Sequence, residues 1–154
     1  MDNPITAIVI DDDKDTVSVL SDFLQIKGIK VIGKGYDGLE AVEIYKRLKP
    51  DAVFIDVMME TCDGLYALEK IREIHPDALV IMVTADLTND THEKLLDLRA
   101  SAIIYKPYDI NEIMHETDNL IRKLKRELIE EINSKKARLR ELNAILGNRL
   151  RESN

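Results

Sequence analysis

Five polar side chains at the ends of apolar runs could together bind a metal ion and support phosphoryl chemistry. They are the carboxylates of Asp11, Asp12 and Asp56, the hydroxyl of Thr84 and the ammonium of Lys106. Nearby carboxylates repel one another unless a cation joins them, and oxygen ligands without His or Cys suit Mg²⁺. A metal and a lysine would neutralise a phosphoryl group, and an aspartate can itself accept that group. Taken singly, each residue is more often a cap or a solvated surface group, so the interpretation requires a fold that brings them together.

The apolar runs predict five buried β-strands. These strands cover Ile5–Ile10, Ile29–Gly33, Ala52–Ile55, Ala78–Val83 and Ser101–Tyr105. Apolar residues at helical spacing follow each of them. The predicted helices cover Val17–Ile26, Leu39–Leu48, Leu65–Ile74, Thr88–Leu98 and a last segment from about Ile110. This alternation predicts an α/β fold, a doubly wound five-stranded parallel sheet with helices on both faces. Ligands bind at the carboxyl edge of such sheets, where the five polar side chains should converge.

Several local signals set the expected ends of these elements. Gly28 should follow the end of the first helix. Asp37 and Asp109 are expected to cap the N-termini of the second and last helices. Gly147 is the expected stop of the last helix.

Four motifs resemble one known family. They read I-V-I-D-D-D at 8–13, F-I-D-V-M-M at 54–59 followed by Asp63-Gly64, V-T-A at 83–85, and Lys106-Pro107. Over about residues 5–121 the chain is similar to the receiver domain of two-component response regulators, the CheY-like domain with a flavodoxin-like fold. The resemblance implies that a sensor histidine kinase or phosphotransfer protein donates a phosphoryl group to an aspartate. The modified protein would then signal to a downstream protein that the sequence does not identify.

The resemblance also implies how Mg²⁺ and the phosphoryl group are held. Asp56 looks like the phosphoacceptor. Asp12 would bind Mg²⁺ directly and Asp11 through water, and the backbone carbonyl of Met58 would complete the metal shell together with Asp56.

Three further positions take their roles from the resemblance. Thr84 resembles the hydroxyl that moves to the phosphoryl group. Lys106 resembles the lysine that contacts this group, and the family's Lys–Pro bond is usually cis. Asp86 stands where the family tunes the phosphoryl lifetime, so its carboxylate would orient or repel the attacking water.

The chain departs from the family at two positions. Glu60 stands where Pro is usual, and Ile103 stands where the family's switch aromatic is usual. Tyr105 is aromatic, but we expect it to point to the other side of the strand, which would alter the coupling of Thr84 to an aromatic. These departures support an alternative function, a non-phosphorylated interaction or dimerisation module with the receiver fold.

Two other functions have weaker support. A phosphohydrolase with an aspartate nucleophile usually needs a second acid where this chain has Met58. The sequence G-x-G-x-x-G at 33–38 has the form of a nucleotide-binding loop, but the receiver interpretation explains the same glycines as turn residues.

The last helix continues past the length of a receiver, so we predict a receiver domain at 1–124 and a helical extension at 125–154. Residues 1–120 carry 24 acidic against 12 basic side chains, and residues 121–154 carry 5 against 10. The extension has apolar residues at alternating four- and three-residue steps, interrupted by Lys135, which is the register of a coiled coil. These residues are Leu128, Ile132, Leu139, Leu142 and Leu146.

We therefore expect a homodimer through this long, coiled-coil-like helix. A solvated, partly frayed helix is the alternative, since two or three heptads are marginal. Glutamates interleaved with the basic residues indicate salt-bridged helix faces and argue against nucleic-acid binding.

Composition indicates a cytoplasmic protein. The start lacks the basic and apolar regions of a signal peptide, and no apolar run approaches the roughly 20 residues that span a bilayer. A single cysteine, Cys62, excludes an internal disulfide and fits a reducing compartment.

Overall fold

A five-stranded parallel sheet forms the centre of the computed structural model, which describes residues 3–154. The strands cover Thr6–Ile10 (β1), Lys30–Gly35 (β2), Ala52–Asp56 (β3), Leu79–Thr84 (β4) and Ala102–Tyr105 (β5). They lie in the order β2-β1-β3-β4-β5, and each neighbouring pair is parallel. The predicted fold class is therefore confirmed.

Helices alternate with these strands in the described part of the chain. They cover Lys14–Ile26 (α1), Gly38–Leu48 (α2), Gly64–Ile74 (α3), Asn89–Asp97 (α4) and Ile110–Glu152 (α5). The first four are amphipathic, since each buries some of its residues and exposes others.

The expected caps of three helices are present. Gly28 follows α1 with a φ of +87°, a left-handed conformation that glycine adopts without strain. Asp37 accepts a hydrogen bond from the amide of Glu40 at 2.8 Å at the start of α2. Asp109 accepts one from the amide of Asn111 at 2.8 Å at the start of α5. These short polar side chains satisfy amide groups that the first helical turn leaves without a partner.

The prediction that α5 stops at Gly147 is wrong. The helix continues through Gly147 to Glu152. A single glycine costs a helix only about 1 kcal/mol relative to alanine, and good helix formers follow it in Leu150 and Arg151. A glycine ends a helix reliably only where the chain also turns.

The central strands are apolar because both of their faces are covered. Every residue of β3 and β4 is buried, and the largest fully buried side chains include Ile8, Phe54 and Ile81. The register pairs Ile10 with Ile55 and β3 with β4 along its whole length. The carboxyl ends of β1, β3 and β4 therefore lie level at one edge.

The chain forms two compact units, one that extends to Glu116 and one that covers Thr117–Asn154. The domain boundary predicted after residue 124 stays a prediction, and the first two residues of the predicted receiver domain lie outside the described residues. None of the helices in the described chain is long and apolar enough to cross a membrane.

Candidate functional site

Three carboxylates meet at the carboxyl edge of the sheet. Asp11 and Asp12 follow β1, and Asp56 is the last residue of β3. One oxygen of each lies within 4.8 Å of the others. Asp11 and Asp56 are buried, with 5% and 7% of their surfaces exposed, whereas Asp12 faces solvent. The parallel register of β1 and β3 is the reason that residues 45 positions apart in the chain become neighbours.

The loop after β3 folds closely against Asp56. A Cβ atom on Gly64 would lie 2.1 Å from the carbonyl oxygen of Asp56, so only glycine fits where this loop enters α3. The amide of Met58 donates to Oδ1 of Asp56 at 3.2 Å. This contact orients one carboxylate oxygen and leaves the other for a different partner.

The two β1 carboxylates are also held by backbone amides. Asp11 accepts a hydrogen bond from the amide of Asp13 at 2.9 Å, and Asp13 in turn caps α1 through the amide of Asp15 at 2.9 Å. Asp12 accepts one from the amide of Glu60 at 3.2 Å. Glu60, which stands where proline is usual, therefore joins the loop after β3 to the loop after β1 through its backbone amide. Glu60 itself is exposed.

Lys106 connects the two buried carboxylates. Its Nζ lies 3.0 Å from Oδ2 of Asp11 and 3.1 Å from Oδ2 of Asp56. Burial disfavours the charged lysine, but hydrogen bonds to Asp11 and Asp56 outweigh burial and raise the pKa of Lys106. The ammonium therefore stays charged beside both carboxylates. The Lys106–Pro107 bond is cis, as the resemblance implied.

The environment of Asp56 disfavours its ionised form. Burial raises the pKa of the Asp56 carboxyl, the negative charge of Asp11 adds to this effect, and the hydrogen bond from Lys106 opposes it. A further cation at the cluster would offset the repulsion between the carboxylates.

The cluster has the donor chemistry of a magnesium site. The side chains in the described part of the chain that could hold a metal ion here are the carboxylates of Asp11, Asp12 and Asp56. Hard oxygen donors, with one exposed carboxylate on the solvent side, suit a small divalent ion that keeps several of its waters. This acidic triad is typical of the Mg²⁺ site of receiver domains.

Thr84 lies at the same edge and accepts hydrogen bonds from the backbone amides of Asp86 and Lys106. It ends β4 and is fully buried. Its Oγ1 accepts a hydrogen bond from the amide of Asp86 at 3.0 Å, and its carbonyl accepts one from the amide of Lys106 at 2.7 Å. The backbone of Thr84 thus positions Lys106, while its hydroxyl is held by the loop that enters α4.

Asp86 binds the first turn of α4 with both carboxylate oxygens. Oδ1 accepts from the amide of Thr88 at 2.8 Å, and Oδ2 accepts from the hydroxyl of Thr91 at 2.6 Å. The bond from Thr91, followed by those from Thr88, lowers the pKa of Asp86. Asp86 therefore connects Thr84 to α4, because its amide bonds the Thr84 hydroxyl and its carboxylate bonds the start of α4.

The expectation that Tyr105 points away from the Ile103 side of β5 is wrong. Residues two apart on a strand share a face, and Ile103 packs against the core cluster that contains Leu95 of α4. The Tyr105 hydroxyl lies 2.6 Å from Nδ1 of His92 on α4, and the two rings are stacked with centroids 6.3 Å apart. The chain thus has an aromatic on the α4 side of β5, two residues later than the family pattern.

One neighbour of the cluster was not apparent from the sequence. Tyr108 lines a small cavity together with Asp11 and Asp56, and burial raises the pKa of its hydroxyl. It lies in the irregular segment after Pro107, where no apolar periodicity indicates which side chains turn inward.

Comparison with known proteins gives a consistent result. The profile of the response regulator receiver domain matches residues 7–118. A probable C4-dicarboxylate response regulator, DctR of Priestia megaterium, is 36% identical over 67% of this chain and 46% of its own length. The chain spans 46% of the length of each of the first curated relatives that it matches, which is about half.

Solved structures are similar in fold and in sequence. One is CheY of Borrelia burgdorferi in a complex with CheX, BeF3 and Mg²⁺, with a TM-score of 0.73, 29% identity, and coverage of 77% of this chain and 90% of the other. Another is the response regulator domain of Thermotoga maritima CheB, with a TM-score of 0.68, 31% identity, and coverage of 79% and 96%.

Proposed function

This chain belongs to the response regulator receiver domain family, a family of phosphoacceptor signalling modules that partner with histidine kinases, and we propose that Asp56 is its phosphoacceptor. The observation that carries the proposal is the contact of Asp56 with Lys106 inside the three-carboxylate cluster. Asp11 is also buried and also contacts Lys106, so the choice of Asp56 over Asp11 rests on its place in the family motif F-I-D-V-M-M at 54–59.

We propose the following use of the site. An oxygen of Asp56 attacks phosphorus, an O–P bond forms, and the P–N bond of the donor phosphohistidine breaks, so the histidine leaves with the bonding electrons. Lys106 neutralises charge on the phosphoryl oxygens, and Thr84 donates its hydroxyl hydrogen to one of them. Asp11, Asp12, Asp56 and the carbonyl of Met58 would hold Mg²⁺, which supplies further positive charge when bound.

A phosphodonor experiment tests this assignment. Acetyl phosphate with Mg²⁺ should add the mass of one phosphoryl group to the intact protein, and Asp56→Asn should abolish the gain. EDTA should abolish it in the unsubstituted chain, while Asp13→Asn, which changes a nearby helix cap, should leave it in place. Labelling of the Asp56→Asn variant would contradict the assignment.

The second candidate is a receiver-fold interaction or dimerisation module that is not phosphorylated. The aliphatic Ile103 at the position of the switch aromatic supports it. The same mass measurement separates the two candidates, because this module would gain no mass at any Mg²⁺ concentration.

The proposed partners are a sensor histidine kinase or phosphotransfer protein and a downstream protein that recognises the phosphorylated form. A cytoplasmic location is part of the proposal, and the lone Cys62, a free thiol, supports a reducing compartment.

We further propose that α5 forms a homodimer as a coiled coil. Its support is the exposure of apolar side chains along a helix that continues to Glu152. Light scattering of the full chain beside a chain truncated after Leu124 tests it. The full chain should have twice the mass of a monomer and the truncated chain should be monomeric, whereas two monomers would refute the homodimer.

A further inference from the structure

Toward its C-terminus α5 exposes a line of six side chains, five of them apolar, which we name the seam. Ile129, Ile145 and Leu150 are exposed beside it. The seam consists of Leu128, Ile132, Lys135, Leu139, Leu142 and Leu146, at alternating steps of four and three residues. Each of its five apolar residues has between 42% and 58% of its surface exposed. This is the pattern of a helix that buries a narrow apolar stripe against another helix.

We propose that the seam binds the seam of a second copy of this chain in antiparallel orientation, with Ile132 of one copy facing Lys135 of the other. The proposal rests on the homodimer proposed above and specifies its geometry. A second copy is the occupant because the side chains that flank the seam are complementary to themselves in this arrangement.

A parallel arrangement would place like charges together. Every seam residue would face the same residue of the second copy, so Lys135 would face the second Lys135. Continuing the same register in both directions, Lys125 would face Lys125 and Arg149 would face Arg149. Polar residues at such positions govern orientation and register because each mispaired layer lowers stability.

The antiparallel arrangement removes these like-charge layers. Leu128 would face Leu139 of the second copy, and Lys125 would face Leu142. The lysines would then extend their methylene groups over apolar neighbours and keep their ammonium groups in solvent. Lys135 is already drawn to the side of the helix, because its Nζ lies 2.8 Å from Oε1 of Glu131.

The residues beside the seam are compatible with the antiparallel arrangement. Glu131 would lie beside Arg138 of the second copy, twice in a symmetric dimer, and Leu124 would lie beside Ile145. The parallel arrangement offers Glu131 a different cation, Lys136 of the second copy. The two arrangements therefore pair Glu131 with different cations, Arg138 in the antiparallel dimer and Lys136 in the parallel one.

Charge exchange in the full chain distinguishes them. Glu131→Arg should weaken the dimer by about tenfold or more, as measured by sedimentation equilibrium, because it places like charges together twice. Adding Arg138→Glu should restore association to near its original strength, whereas adding Lys136→Glu should not. Restoration by Lys136→Glu and not by Arg138→Glu would overturn the antiparallel geometry.

Disulfide formation provides an independent test. In a Cys62→Ser background, two Leu142→Cys chains should not form a disulfide with each other. The antiparallel register separates position 142 in the two copies by about 25 Å at 1.5 Å per residue. Mixing Leu128→Cys with Leu139→Cys chains should give a mixed disulfide dimer. A disulfide between two Leu142→Cys chains would overturn the orientation and leave the homodimer standing. A monomer in every experiment would overturn both, and phosphorylation of Asp56 would remain a separate question.

Discussion

Asp56 occupies an environment in which its ionised form is disfavoured. Its carboxyl is buried beside Asp11, and burial is the main reason that its pKa is raised. A group whose pKa is higher in the folded than in the unfolded chain contributes stability below its unfolded pKa. That contribution is lost as the pH rises through the folded pKa. At neutral pH, the ionised Asp56 therefore lowers the stability of the metal-free protein.

We accordingly expect Asp56→Asn to stabilise the metal-free protein at pH 7. The gain should be on the order of 1 kcal/mol, since an uncharged amide avoids the burial of a charge and also removes the repulsion from Asp11. The gain should shrink as the pH falls toward the folded pKa, where Asp56 itself becomes protonated. Urea unfolding at several pH values in EDTA measures it. Asp12→Asn is the matched control, because it removes an exposed charge of the same cluster and should give a smaller gain.

Arg72 illustrates how one residue joins several elements. It is a buried residue of α3, and its guanidinium donates to the carbonyls of Arg99, Pro76 and Ala78 and to the hydroxyl of Ser101. These acceptors lie in the segments that lead into β4 and β5. Arg72 therefore fixes the starts of the two strands whose other ends carry Thr84 and Lys106.

Replacing Arg72 by Met should destabilise the protein strongly. The carbonyls of Ala78, Pro76 and Arg99 would lose a charged donor in buried or part-buried hydrogen bonds, which costs about 2–4 kcal/mol in unfolding free energy. Urea unfolding with far-UV circular dichroism measures this loss. Lys70→Met, which removes a surface ion pair with Glu73 on the same helix, should change stability little. A loss from Arg72→Met as small as that of the control would contradict the role assigned to the guanidinium.

The element α4 is tied to the sheet at two places near Thr84. Asp86 holds the first turn of α4 through Thr88 and Thr91, and Tyr105 of β5 bonds His92. Tyr105 is also the residue that pairs with Thr84 across the β4–β5 ladder. A movement of Thr84 would therefore reach α4 through a hydrogen-bonded loop and a neighbouring strand.

We expect Asp86→Ala to loosen the N-terminus of α4. Amide hydrogen exchange at residues 88–92 should become severalfold faster, because two donors lose their acceptor. Asp90→Ala is the control on the same helix, since it removes only the exposed ion pair with Lys94. Equal exchange in Asp86→Ala and the control would contradict the linking role of Asp86.

At the scale of the whole molecule, the extension is a helical segment with exposed side chains. Residues 125–154 are exposed throughout, apart from a half-buried Gly147. Because burial of apolar surface is the main source of folding free energy, removing residues 125–154 should leave the urea midpoint of the receiver part nearly unchanged. Mg²⁺-dependent phosphorylation by acetyl phosphate should also persist. A large drop in the midpoint would show that the extension stabilises the receiver part.

Much of the fold and the cluster followed from the sequence for a physical reason. Strands buried on both faces must be almost wholly apolar, so Asp11, Asp56 and Lys106 could stand only at their ends. Parallel strands place those ends at one edge, which is why the carboxylates converge. The Gly147 stop failed because one glycine costs a helix only about 1 kcal/mol, and residues that favour a helix, such as Leu150 and Arg151, follow it.

The sequence by itself determined the strand–helix alternation, the family and the carboxylates at the sheet edge, because these depend on periodicity and residue type. Only the tertiary structure decided which groups touch. It placed the Lys106 ammonium between Asp11 and Asp56, turned both oxygens of Asp86 to α4 and brought Tyr105 to His92. Such contacts depend on loop paths and side-chain rotamers, which packing from several distant segments selects together.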